Sequence, residues 1–164
     1  MALDGIRQAA RDDLEALHGL LQAAFTSQAR ELELTPADAP WHTAYREADA
    51  TEREMGYLTF FLLIADEQPA GCIAIQNDVE AEYGGDGYIG RVAVHPDFRG
   101  RGYAHLLLRF AETALRDRGA KRVRLVVLSV LDALVEFYAA QGYEVVGYRE
   151  FKGFALTDMD KALT

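Results

Sequence analysis

The chain has 164 residues, 50% of them hydrophobic and 26% charged, and a formal net charge of −9. Its length suits a single domain over residues 1–164 with a sizeable core, and the even spread of apolar residues excludes disorder. The acidity leaves no basic face for phosphates, which excludes a general nucleic-acid partner, and no apolar run reaches the length that crosses a membrane.

In chain order, residues 5–9 read as a first strand. Asp12 then reads as a helix N-cap with Glu15 three residues on, and Leu14, Leu17, Leu21, Ala24 and Phe25 fall on one helical face. Pro36 and Pro40 mark a loop, followed by a helix over residues 41–53 with Trp41, Tyr45 and Ala48 inward. Residues 58–64 form a dense apolar run suited to a buried strand. A turn at 66–69 joins it to a strand over 70–76. Residues 77–87 are acidic and glycine-rich and read as a mobile loop, and 88–94 read as the next strand.

The helix that follows carries Ala104, Leu107, Leu108, Ala111 and Leu115 on one stripe, with Gly119 as its stop. Residues 123–130 are almost uniformly apolar, as in a central strand covered on both faces. Ser129 and Asp132 have the spacing of a capping box for a helix with Leu131, Leu134, Val135 and Tyr138 inward, stopped by Gly142. Residues 143–148 and 154–160 make a last hairpin. The order β-α-α-β-β-β-α-β-α-β-β mixes hairpins with crossovers, so an α/β protein with a mixed sheet is expected.

Cys72 is the single cysteine. It excludes an intrachain disulfide, points to a reducing compartment, and sits in a strand-like run as a buried, inert thiol. Residues 1–4 lack the features of a secretory leader, so a cytoplasmic location is expected. The four histidines have no metal-ligand spacing, and no metal is expected. His95, before Pro96, reads as a strand-end residue.

The chemistry concentrates in Val92-Ala93-Val94-His95-Pro96-Asp97-Phe98-Arg99-Gly100-Arg101-Gly102-Tyr103-Ala104. An apolar strand enters a basic turn, and the turn opens into an amphipathic helix. The first N–H groups of a helix lack intrahelical partners and lie at the positive end of its dipole. Gly100 and Gly102 permit positive φ and a close backbone approach, and Arg99 and Arg101 add charge. The arrangement is an anion site suited to a phosphate or pyrophosphate. A dinucleotide fingerprint would need Gly or Ala at His105, and a Walker loop would need Gly-Lys-Ser/Thr, which is absent.

Arg99-x-x-Gly102-x-Ala104 resembles the Q/R-x-x-G-x-G/A signature of the GCN5-related N-acetyltransferases. Residues 134–143 resemble that family's FYxxxGF segment, and residues 158–163 resemble its closing M-x-K-x-L strand. The resemblance implies the acyl-CoA N-acyltransferase fold, a mixed, mostly antiparallel sheet flanked by helices. It implies acetyl-CoA as cosubstrate, with Val92, Ala93 and Val94 along the pantetheine arm where two parallel strands splay, and a backbone N–H near Val94 on the thioester carbonyl. Arg99, Gly100, Arg101, Gly102, Tyr103 and Ala104 would hold the pyrophosphate.

Tyr138 aligns with the tyrosine that protonates the leaving thiolate as general acid. Leu131 takes the cofactor-contacting place where relatives often carry asparagine. The strand positions where relatives keep a base hold Tyr88 and Gly90; Tyr88 is kept as a candidate catalytic residue, and Glu82 is the candidate base through a water, with Glu80 and Asp86 in the same loop. The resemblance implies a primary amine on a small molecule or peptide as acceptor, expected to approach near residues 25–45 and 77–87. Family members are often homodimers, and the sequence leaves that open. Two alternatives stand beside the enzyme: a CoA-binding regulatory module without catalysis, and an interaction domain without a ligand.

Overall fold

The computed structural model describes residues 3–76 and 86–163. Its strands are β1 (Leu3–Gln8), β2 (Leu58–Ala65), β3 (Gln68–Gln76), β4 (Gly87–Val94), β5 (Arg122–Leu128), β6 (Glu144–Phe151) and β7 (Phe154–Ala162). Its helices are α1 (Leu14–Glu31), α2 (Ala48–Glu54), α3 (Tyr103–Asp117) and α4 (Asp132–Ala140). The strands form a mixed seven-stranded sheet, mixed as the element order predicts, and their spatial order is β1-β2-β3-β4-β5-β7-β6. The acidic loop expected at 77–87 lies outside the described residues as far as residue 85.

The chain divides into two compact units, one of residues 1–77 and 91–111, the other of residues 78–90 and 112–164. In the first, β1 pairs antiparallel with β2, and β2 with β3. Leu17, Leu20, Leu21 and Ala24 of α1 are buried, close to the face expected from their spacing. Phe61 of β2 meets Phe110 of α3 edge-on at 4.9 Å. Gly71 of β3 has no room for a side chain, since a Cβ there would stand 3.0 Å from both the Ala93 carbonyl oxygen and Leu107.

Two expectations in this unit are corrected. Asp12 caps no helix. Asp13 instead accepts the Ala10 N–H at 2.7 Å and pairs with Arg7 at 2.8 and 2.9 Å, closing a short 3-10 turn before α1. Arg7 first, then the Ala10 N–H, hold the Asp13 carboxyl down at about 2.

The helix expected over 41–53 is only Ala48–Glu54. Before it, side chains compete with the helix for backbone groups. His42 Nδ1 accepts the Ala44 N–H at 3.2 Å, and the Tyr45 hydroxyl donates to the Leu34 carbonyl at 2.7 Å. His42 is buried among Phe25, Trp41 and Tyr45, with Nε2 2.8 Å from Gln28 Oε1. Burial first, then Arg91 and Arg46, lower its pKa and keep it neutral.

In the second unit, β5 pairs antiparallel with β7, and β7 with β6. The parallel β4–β5 pair registers at Gly87↔Val123 and Tyr88↔Arg124. The expectation that β5 is covered on both faces is corrected. Val123, Leu125 and Val127 are buried, while Arg124 is exposed between them and reaches Asp86 at 3.2 Å. The capping box is corrected too: Leu131 occupies the N-cap of α4 without a side-chain bond, and Ser129 Oγ pairs with Thr157 Oγ1 at 2.7 Å. Gly119 and Gly142 end α3 and α4 with φ of 93° and 98°.

Cys72 is fully buried, and its thiol donates to the Arg91 carbonyl at 3.4 Å. Burial pushes the thiol up to about 12. The folded protein is expected to resist maleimide at pH 8, and the chain in denaturant to react as an ordinary cysteine does. Intact mass after timed quenching checks this, and native labelling as fast as denatured labelling would contradict it.

Candidate active site

In the first unit, β4 ends at Val94 and a 3-10 turn, Pro96–Phe98, follows. His95 begins that turn. Its N–H donates to the Ala70 carbonyl at 2.8 Å, and its Nδ1 accepts the Asp97 N–H at 3.1 Å. Phe98 is buried and anchors the turn. The chain then passes through Gly100 at φ +80° and Gly102 at φ +78° into α3. A Cβ at either glycine would meet nothing within 4 Å. Backbone conformation, rather than crowding within the protein, therefore requires glycine at these positions.

The residues of the basic turn do different work. Arg99 is exposed, but its guanidinium lies along its own unit: Nη2 donates to the Ala24 carbonyl at 3.1 Å and to Ser27 Oγ at 3.0 Å, and Nε to the Val94 carbonyl at 3.3 Å. It ties the turn to α1 and β4. Arg101 is exposed and lies 5.4 Å over the Phe98 ring. Tyr103 is buried, and Ala104 is half-buried in the first turn of α3. The exposed glycines and the opening N–H groups of a fifteen-residue helix thus fit a pyrophosphate. Along β4, Ala93 is buried while Val92 and Val94 are half-buried.

In the second unit, Tyr138 of α4 is buried, edge-on to Phe137 at 5.3 Å and to Tyr143 at 5.8 Å. Burial first, then Tyr88, push its hydroxyl above the ordinary phenol range, so it holds its proton at neutral pH. Leu131 is buried at the start of α4. The Tyr88 ring folds back over Gly90, where a Cβ would stand 2.7 Å from its hydroxyl oxygen. Asp86 is paired with Arg124. Glu80 and Glu82 lie outside the described residues. Among the described residues, no three His, Cys, Asp or Glu side chains gather as a metal set, and no helix is long and apolar enough to cross a membrane.

Two buried networks escaped the sequence reading. Glu54 of α2 pairs with Arg46 at 2.8 Å and with Arg91 of β4 at 2.7 Å. Glu112 of α3 accepts the Tyr143 hydroxyl at 2.8 Å and Lys161 Nζ at 3.1 Å, which holds the ring that Tyr138 packs on. No local spacing marks either set, because Glu54 and Arg91 are 37 residues apart, and Glu112 and Tyr143 are 31 apart.

Residues 15–143 match the family model for the acetyltransferase (GNAT) family. An acetyltransferase of Yersinia enterocolitica is 31% identical over 105 residues, covering 64% of this chain and 70% of the relative. Another, of Pectobacterium atrosepticum, is 32% identical over 107 residues, covering 65% and 72%. Among solved structures, the PaiA N-acetyltransferase of Thermoplasma acidophilum in complex with coenzyme A superposes with a TM-score of 0.78 at 18% identity, covering 99% of both chains. The ribosomal-protein-S18-alanine N-acetyltransferase of Escherichia coli gives 0.75 at 18%, covering 97% and 93%. At such identities the structural likeness establishes the fold.

Proposed function

This chain belongs to the acetyltransferase (GNAT) family, and from that membership we propose that it transfers an acetyl group from acetyl-CoA to a primary amine by direct attack on the thioester. The observation that carries the reading is the exposed pair Gly100 and Gly102, both left-handed, opening into α3. The coenzyme A complex of the Thermoplasma neighbour supports the same cosubstrate.

The reaction asks for a fixed acyl donor, a neutral amine and a proton for the departing thiolate. The N–H groups of the turn over 99–104 hold the pyrophosphate, with Arg101 at its exposed side. Val92, Ala93 and Val94 lie along the pantetheine, and a backbone N–H near Val94 polarises the thioester carbonyl. Tyr138 gives its proton to the thiolate. Glu82 takes the amine proton through a water. The acceptor is an amine on a small molecule or a peptide, in the cytoplasm, where the single buried thiol of Cys72 stays reduced.

A second reading, a CoA-binding regulatory module without catalysis, draws on two observations. Leu131 cannot make a polar contact at the start of α4, and Asp86 is already held by Arg124.

Thermal unfolding with and without acetyl-CoA tests the binding step. A ligand present at a hundred times its Kd stabilises the folded state by about 2.7 kcal/mol, which raises the midpoint of a chain this size by roughly 5–10 °C. The truncated analogue lacking the pyrophosphate is expected to give no such shift. An unchanged midpoint with acetyl-CoA would overturn the assignment. Turnover with any member of an amine panel then separates the enzyme from the module.

A further inference from the structure

Five described residues other than glycine have a left-handed φ: Glu33, Asp66, Glu67, Arg91 and Lys152. Four of them sit where the chain turns, just after α1, between β2 and β3, and between β6 and β7. Arg91, at φ +52°, lies inside β4. A side chain with a Cβ is crowded there, and such a residue persists only where its surroundings over-determine it.

The surroundings of Arg91 do so at both ends. Its Nη2 donates to Glu54 Oε2 at 2.7 Å, and its Nε lies 3.2 and 3.3 Å from the two carboxylate oxygens. Its carbonyl accepts the Cys72 thiol at 3.4 Å. Glu54 is itself immobilised, being buried at the end of α2 and bound by Arg46 at 2.8 Å. Burial works to raise its carboxyl pKa, and the two guanidiniums outweigh it, so the clamp stays charged.

We propose that Glu54 is a positioning residue for acyl transfer: by clamping the Arg91 guanidinium it holds the left-handed kink in β4 and so aims the peptide groups of Val92, Ala93 and Val94. A left-handed residue inside a strand turns the following peptides out of the regular ladder, so the groups that meet the acyl donor depend on that one φ. The inference rests on the reading of Val92–Val94 as the edge along the pantetheine.

Arg91→Ala keeps the crowding and loses the clamp. Arg91→Gly loses both, since glycine adopts this φ without cost. Glu54→Gln and Arg91→Ala are each expected to lower kcat/KM for acetyl-CoA about tenfold, the scale of a small misplacement of reacting groups. Arg91→Gly is expected to recover most of that loss, alone and combined with Glu54→Gln, as residues acting through one contact do.

Hydrogen exchange supplies a readout that needs no ligand. In Glu54→Gln and Arg91→Ala the amides of residues 91–95 are expected to exchange faster, while those of residues 58–65 keep their protection. Glycine at 91 no better than alanine, unchanged exchange at 91–95 in Glu54→Gln, or faster exchange with unchanged kinetics would each overturn the proposal. A wild-type protein that neither binds nor turns over acetyl-CoA would overturn the functional reading instead, and the exchange data would still decide whether Glu54 clamps Arg91.

Discussion

Gly102→Val is expected to weaken acetyl-CoA binding by about a hundredfold in isothermal calorimetry, on the scale of 1.4 kcal/mol for each tenfold. Gly102 stands at φ +78° with open space where a Cβ would point. Valine therefore meets no wall. Its cost is conformational, about 1–3 kcal/mol for a non-glycine residue held in the left-handed region, and it is relieved by rotating the backbone out of that region. Rotation turns the first N–H groups of α3 away from a common focus, and that focus is what binds an anion.

Gly119→Val is the control. It has the same kind of left-handed φ, at +93°, and the same open space, beyond the other end of α3. It is expected to lose similar stability and no affinity. Gly102→Asn separates conformation from space, since asparagine tolerates this φ. Retained affinity assigns the role to φ, whereas loss as deep as valine's assigns it to close approach of the ligand. Unchanged affinity in Gly102→Val would remove the cosubstrate from this turn.

Tyr138→Phe is expected to lower kcat about a hundredfold, within the usual range for a positioned general acid, while acetyl-CoA affinity stays within about twofold of wild type. Phenylalanine keeps the edge-on packing against Phe137 and Tyr143, so the variant loses the O–H and little else. Burial, then Tyr88, raise the Tyr138 hydroxyl above the ordinary phenol range. A raised pKa means the proton is present throughout neutral and mildly alkaline pH. The wild-type kcat profile is therefore expected to show no alkaline limb from this group below the ordinary phenol pKa of about 10. Steady-state kinetics at saturating acetyl-CoA reads both effects. An unchanged kcat would leave Tyr138 as packing alone.

The basic turn was legible because its parts are local. A strand, two glycines with arginines beside them, and an amphipathic helix follow one another directly, and backbone conformation at Gly100 and Gly102 needs no distant residue. The buried faces of α1 and α3 were legible for the same reason, being a matter of period. Capping was less so. Asp12 and Asp13 are neighbours with the same chemistry, and which one closes the turn before α1 depends on Arg7 arriving from β1. The stretch before α2 looked helical by spacing, yet His42 and Tyr45 spend their polar atoms on backbone groups and on Gln28. In β5, apolar content suggested two covered faces, and pairing of Arg124 with Asp86 leaves one of them open.

Arg99 shows the division within a single residue. Its motif position follows from sequence order, but its guanidinium is spent on Ala24 and Ser27, 75 and 72 residues away. The amino-acid order was sufficient for fold class, family and the glycine-rich turn before α3, because each arises from periodicity or from groups within a few residues. Which carboxylate meets which guanidinium, and hence how Arg91 is held in β4 and how Tyr143 is held beneath Tyr138, came from the packed chain. Those pairings join residues tens of positions apart, and burial is what makes them strong enough to matter.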